Sequence, residues 1–596
     1  MKRVRQSVAG LILAVAAGPA LAAQATAPAV PAWVARSNSN ADYAVAVLAR
    51  FRPEGAGQLG VTTVDKEILD LTAGYRERAR EAGEQVIGEL GKRLSAESDP
   101  LVRQDLEIMI EAFRDNVTQS RLQEKHFVTY VDVPQLVFFG LRSLLDDQVP
   151  EERRGAALVR LRKYAGLEPG TTPIAELATA RARESLQVPG LLFPFKGELE
   201  RDLTNGPVLV DGIGELLRKY GVAGHEEAYA KLKEQLAAYD AWVRRELVPK
   251  ARTDYRLPAE VYAFGLKANY GVDIPPAELA RIAHAGFAEI QARMQTLAAQ
   301  VARQRGWTDT DYRAVIRQLK KEQVVGEAIL PLYQETLRKL EETIRREKLV
   351  TLPQRPARIR LATPAESAQQ PAPNMRPPRL LGNTGEQGEF VLPLNIPAKD
   401  PAQQKTYDDY TFAAGAWTLT AHEARPGHEL QFAKMLESGV STARAVFAFN
   451  STNVEGWGLY AERIALPFMP LEGQLVSLQH RLLRAARAFS DPELQTGETT
   501  PERVKALLVD DVVESEAAAT QEVERYTFRS PGQATSYYYG FVRLEELRGD
   551  VEKQMGAAFD QRAFHDFVLA QGLLPPALLR KAVMEEFVAG KAAAAR

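Results

Sequence analysis

The sequence predicts a mainly α-helical protein, a large helical bundle with a central cleft and a small β-containing segment near residues 355–395. Three observations carry this. Apolar residues recur at three-and-four spacing among charges in "YRERAREAGEQVIGELGKRL", "EEAYAKLKEQLAAYDAWVRREL" and "LYQETLRKLEETIRRE", the pattern of helices with one buried face. "DIPPAELARIAHAGFAEIQARMQTLAAQVARQ" sets prolines where a helix starts and then runs on amphipathically. Pro and Gly are dense in one stretch, from about 350 to 403, and helical patterning returns after it.

Taken in order, Lys2, Arg3 and Arg5 precede the apolar run "VAGLILAVAAGPALA", which ends on small residues at Ala20–Ala22. This is the pattern of a secretory signal peptide, residues 1–22, expected to be cut after Ala22 to give a periplasmic or secreted protein. The run is shorter than the ~20 apolar residues that a spanning helix needs. No cysteine follows it, so neither a membrane anchor nor a lipidated N-terminus is expected. Residues 23–40 open with Ala and Pro and read as a flexible linker. Residues 41–350 form an N-terminal region of antiparallel helices. The Pro/Gly-rich segment 351–403 holds short strands at Arg358–Leu361 and Glu389–Leu394. A second helical region, 404–588, carries the candidate catalytic residues, and 589–596 is a frayed tail.

Composition sets limits on function. The 596 residues carry a formal net charge of −2, which gives no electrostatic reason to expect nucleic acid or an anionic membrane as partner. Hydrophobic content of 45% and charged content of 26% are ordinary for a soluble globular protein. Cysteine is absent, so any zinc must be held by His and carboxylate ligands.

One stretch, "HEARPGHELQ" at 422–431, concentrates chemistry. A catalytic zinc takes three protein ligands and leaves one position open, and a neighbouring carboxylate serves as general base. The common helical arrangement is H-E-x-x-H. Here His422 and His428 lie six apart, about 120° off one face and about 9 Å along a regular helix. Pro426 and Gly427 stand between them. Proline breaks or kinks a helix and glycine accepts unusual backbone shapes. We therefore expect a distortion that turns His428 back toward His422, with Glu423 as base. The competing reading is a helix end followed by a turn, with two unrelated histidines.

A third ligand is offered by "NVEGWGLYAE" at 453–462. Glu455 and Glu462 share one helical face. Glu455 is the expected ligand, since Gly456 and Gly458 allow a close approach between helices. Glu462 is placed to orient a ligand histidine from behind. Against both stands the usual fate of glutamate as a solvated surface charge. His126, His225, His284, His480 and His565 stand alone on helical stretches and read as surface or core residues. "GEFVLPLN" reads as an edge strand along which an extended peptide could lie.

"HEARPGH", "VEGWGLYAE" and "RYTFRSPGQATSYYYG" (525–540) together resemble the bacterial domain-of-unknown-function family 885. The resemblance spans nearly the whole mature chain, including "YRLPAEVYAFGLKANYGVDIPPAEL". That family is regarded as zinc metallopeptidases of the gluzincin type, related in architecture to helical carboxypeptidases and angiotensin-converting enzyme. The resemblance implies His422, His428 and Glu455 as Zn2+ ligands and Glu423 as base. Family members often carry His after the second ligand; this chain has Glu429, which would add negative charge near the metal. In the third motif, Tyr537 is the expected donor to the developing oxyanion, with Tyr538 in reserve. Arg525 is the expected two-pronged partner of a substrate carboxylate. The whole reads as an exported zinc metallopeptidase acting on peptides. The alternatives are an inactive helical binding protein on the same scaffold, or a zinc amidase or esterase acting on cell-wall peptides.

Overall fold

The computed structural model describes residues 31–394 and 408–590. The expected signal peptide, residues 395–407 and the end of the tail lie outside the described residues.

The first helix, Ala32–Phe51, begins directly after Pro31, so the linker expected to run to residue 40 does not. Val34, Ser37, Ala41 and Ala44 form a buried face on it. Ser37 Oγ donates to Asp105 Oδ2 at 2.6 Å, and the Arg444 guanidinium lies 5.0 Å over the Trp33 ring. Small residues at three-and-four spacing make a closely packed helix face, although their composition alone resembles a linker. This helix shares a core with Tyr75–Ala96 and Pro100–His126. A second core is built by Val133–Arg142, Ala156–Tyr164, Ile174–Ser185, Lys196–Lys219 and Glu226–Glu246.

The largest core crosses the boundary expected at residue 350. Helix α1 (Pro276–Arg305) packs Leu279, Ala283, Phe287, Ile290, Met294 and Val301 into the same cluster as Leu475, Leu478, Leu482 and Phe489 from the far half of the chain. Each such large side chain contributes roughly 1.5–3 kcal/mol on burial. The two halves of the sequence are therefore one body at this seam.

Five further helices build the site: α2 (Ala413–Leu419), α3 (His428–Ser438), α4 (Ser451–Ala465), α5 (Leu471–Thr496) and α6 (Thr535–Met555). Helices α4 and α6 meet backbone to backbone at two glycines. A Cβ on Gly540 would lie 2.1 Å from the Thr452 carbonyl oxygen, and one on Gly456 would lie 2.6 Å from the Gly540 carbonyl carbon. That contact sets Glu455 and Tyr537 on neighbouring helices at short range.

The β segment is a three-stranded sheet of β1 (Arg358–Leu361), β2 (Asn374–Arg376) and β3 (Glu389–Leu392) in the order β1-β3-β2. β1 runs parallel and β2 antiparallel to β3. The expected β1 is found, and the strand expected to reach Leu394 ends at Leu392. β3 is central and fully buried, which corrects its reading as an edge strand; β2 is an edge. β2 sits between Pro371/Pro373 and Pro377/Pro378, which limit its length and hide it from a pattern search. No helix among the described residues is long and apolar enough to cross a membrane.

Candidate metal centre

Helix α2 continues into a wider π-type turn, Thr420–Ala424, which carries His422 and Glu423. Pro426 cannot continue the helical hydrogen bonding, and the chain turns at Arg425–Pro426 before α3 starts at His428. Gly427 is required at this fold-back. A Cβ there would lie 1.8 Å from the His422 carbonyl oxygen and 2.5 Å from that of Ala421. The turn is fastened on two sides. Arg425 donates to Glu429 at 2.7 Å, to Glu341 at 2.6 Å and to the Arg355 carbonyl at 2.6 Å. Trp457 Nε1 donates to the Pro426 carbonyl at 3.0 Å. The result is the distortion that the spacing predicts: the two imidazoles stand edge to face with centroids 4.6 Å apart.

Glu455, from α4, closes the group. Its Oε2 lies 3.5 Å from His422 Nε2 and 3.3 Å from His428 Nε2. Zinc bonds of ~2.0–2.2 Å in a tetrahedron imply ligand-to-ligand edges of about 3.3–3.6 Å, so these donors match a zinc site in type and in spacing. Glu423 also lies near, with ligand atoms of His422, Glu423 and His428 all within 4.8 Å of one another. Glu455 is the better-placed third donor, because one of its oxygens faces both Nε2 atoms at the shorter range. Burial alone would push the Glu455 carboxyl up; its contacts with the two histidines hold it well below the usual range. Burial pushes the Glu423 carboxyl up despite the two histidines beside it, the direction suited to a group that accepts a proton.

The surroundings set the rings. Glu462 Oε1 lies 2.7 Å from His422 Nδ1, and its other oxygen accepts from Thr418 at 2.7 Å. A carboxylate behind a ligand histidine fixes the ring and its tautomer. Burial opposes a charge on His422, but Glu455 and Glu462 raise its pKa to about 9. His428 has no such brace among the described residues: its Nδ1 is buried without a partner there. Gly458 makes room for both rings. A Cβ there would lie 2.6 Å from His422 Cε1 and 2.9 Å from His428 Cε1. Gly458→Ala is accordingly expected to lower zinc affinity by about 10–100-fold, the range for disturbed support around ligands, with the helical circular dichroism kept; chelator competition measures it.

Glu429 does not add charge beside the histidines, contrary to the expectation from its place in sequence. One residue along α3 is a turn of about 100°, and this carries Glu429 to Arg425, fully buried and ion-paired.

These groups open on a cavity of about 370 Å³ lined also by Asn374 and Met375 of the β2 edge. Three larger cavities, of about 960, 680 and 390 Å³, contain none of the histidines or Glu423 and Glu455, so chemistry rather than size picks the site. Tyr537 lines the smaller cavity, its ring nearly parallel to His422 with centroids 6.4 Å apart. Burial, then the charge of Glu455, pushes its hydroxyl pKa up, so it stays protonated and able to donate. Arg525 also lines the cavity, but its guanidinium reaches Gln533 and Tyr537 at 3.3 Å and lies 3.8 Å from Glu522. Tyr538 is not brought to the site. Its hydroxyl packs on α1, where a Cβ on Gly286 would lie 1.7 Å away.

The sequence reading took His480 for a surface or core residue and overlooked Arg484 and Arg487; all three, on α5, line the same cavity. Their spacing of four and three was the available signal. The other solitary histidines behave as expected. His565, for example, is buried between Tyr460 and the Leu349 carbonyl.

No curated protein matches the chain. Two solved structures share its fold. One is a candidate lipoprotein of unknown function from Shewanella oneidensis, 19% identical, with a TM-score of 0.69 over 93% of this chain and 100% of that one. The other is a candidate lipoprotein from Colwellia psychrerythraea, 18% identical, with a TM-score of 0.71 over 93% of this chain and 99% of that one. The model of the family described as "Bacterial protein of unknown function (DUF885)" matches residues 53–583, and the chain belongs to that family.

Proposed function

We propose that this protein is an exported zinc-dependent hydrolase that cleaves peptide bonds. The observation that carries the reading is the convergence of His422 Nε2 and His428 Nε2 on a single oxygen of Glu455, at 3.5 and 3.3 Å. When bound, zinc supplies an acidified water and a Lewis acid for the substrate carbonyl. Glu423 takes the proton of the attacking water and returns it to the leaving amine. Tyr537 donates a hydrogen bond to the carbonyl oxygen as charge develops there. Glu462 keeps His422 in register throughout. The β2 edge beside the cavity offers backbone groups to an extended peptide.

Export is supported by the N-terminal pattern in the sequence and by the lipoprotein descriptions of the two similar structures.

The test combines metal analysis of the purified protein with digestion of a peptide library. One zinc per chain and cleavage that stops on chelation are expected. Zinc without cleavage would return the binding-protein alternative, and no zinc at all would remove the reading.

A further inference from the structure

Helix α5 presents His480, Arg484 and Arg487 to the cavity that holds His422, Glu423, His428 and Glu455. Four guanidiniums line this cavity: Arg484, Arg487, Arg525 and Arg529. Three are engaged. Arg487 grips Glu522 with two bonds of 2.7 Å. Arg525 is held by Gln533, Tyr537 and Glu522. Arg529 donates to Gln521 at 2.8 Å.

Arg484 differs. Its hydrogen bonds among the described residues go to His480 alone, from Nη1 to Nδ1 at 3.0 Å and to the carbonyl at 3.3 Å. Its Nε is buried without a partner, and its residue exposure is 5%. Burial, then the charge of Arg484, pushes the His480 ring down to about 3, so His480 is a neutral acceptor and cancels none of the charge. The carboxylate of Glu462 feels the charge of Arg484, but no carboxylate among the described residues pairs with the guanidinium directly, and an arriving anion would supply the missing hydrogen-bonded partner. Arg484 and Glu423 line the same cavity.

We propose that Arg484 receives the C-terminal carboxylate of a peptide substrate, so that the site trims peptides from that end. This rests on the peptidase reading above and adds the substrate class. A carboxylate is the anion that fits a guanidinium in two-pronged fashion, and every unmodified peptide ends in one. A cavity of about 370 Å³ suits a chain end better than a long peptide passing through.

The test uses the zinc-loaded Glu423→Gln protein, so that binding is read without turnover. The probes are N-acetylated tetrapeptides without acidic side chains, as free acids and as C-terminal amides, measured by calorimetry. The acids are expected to bind about tenfold or more tightly than the amides, the scale of one charge-assisted contact. Arg484→Gln is expected to remove the gap. Should that variant not fold, Arg484→Lys decides: the gap must shrink, because an ammonium cannot hold both carboxylate oxygens in the same way. A third arm uses amidated tetrapeptides with an internal Glu. If these bind as tightly as the free acids, Arg484 reads a side chain and the proposal fails. Equal binding of acid and amide, a gap that survives in Arg484→Gln, or no binding by either form would also overturn it. A wild-type protein that cleaves nothing would remove the peptidase reading, while the affinity gap would still be read in this experiment.

Discussion

Replacing Glu423 by Gln is expected to lower peptide hydrolysis by about 10²–10⁴-fold, the usual contribution of a general base, while zinc stays at one per chain. The two halves of this expectation come from different atoms. Glu455 Oε2 already faces both Nε2 atoms at 3.5 and 3.3 Å, so the proposed three-ligand set is complete without Glu423. Glu423 lines the same cavity and is buried, which pushes its carboxyl up and makes it a readier proton acceptor. Glutamine keeps the shape and loses the basicity. The measurement is kcat/KM beside metal analysis on one preparation. Activity within a few-fold of wild type would take Glu423 out of the chemistry. Loss of zinc would show instead that Glu423 is a ligand, an arrangement its position within 4.8 Å of both histidines allows.

Some of the site was readable from the sequence because covalent constraints are local. Pro426 and Gly427 announce a break between His422 and His428, and the break is where the six-residue spacing is closed. The depth of the constraint was not readable. That Gly427 has no room for a Cβ against the His422 carbonyl, or Gly458 against both imidazoles, depends on segments brought together only by folding. The same holds for Arg484 and His480, which belong to no recognisable motif and reach the cavity because α5 packs on α1, some 190 positions earlier in sequence. Glu429 shows the opposite error. Adjacency in sequence suggested adjacency in space, and one helical step turned the side chain to Arg425. In the fold, strongly amphipathic helices were legible, whereas the Ala32–Phe51 helix resembled a linker by composition. The short helix Pro364–Gln369 was missed although Thr363 and Glu366 form a capping box, a signal that can be searched for.

Removing Glu455 is expected to cost more zinc affinity than removing Glu462, and the order tests the geometry directly. Glu455→Ala deletes one of three ligands together with the one anionic charge among them, leaving two imidazoles; affinity is expected to fall by more than about 100-fold, beyond the ~10–100-fold typical of groups behind the ligands. Glu462→Gln removes a brace. Burial would raise the Glu462 carboxyl, but its hydrogen bond with His422 and the charge of Arg484 bring it down to about 2, so it acts on the ring as an anion. Glutamine keeps one acceptor oxygen, enough for His422 Nδ1, presents its NH2 to Thr418 and loses that charge, which places its effect inside the ~10–100-fold range. Chelator competition at fixed pH measures both variants, and hydrolysis should fall with zinc occupancy in each. The reverse order would require a cation on the Nδ1 side of His422, where Glu462 Oε1 already sits at 2.7 Å. His428 Nε2 faces Glu455 rather than Glu462, so that outcome would mean that the two histidines do not share a metal.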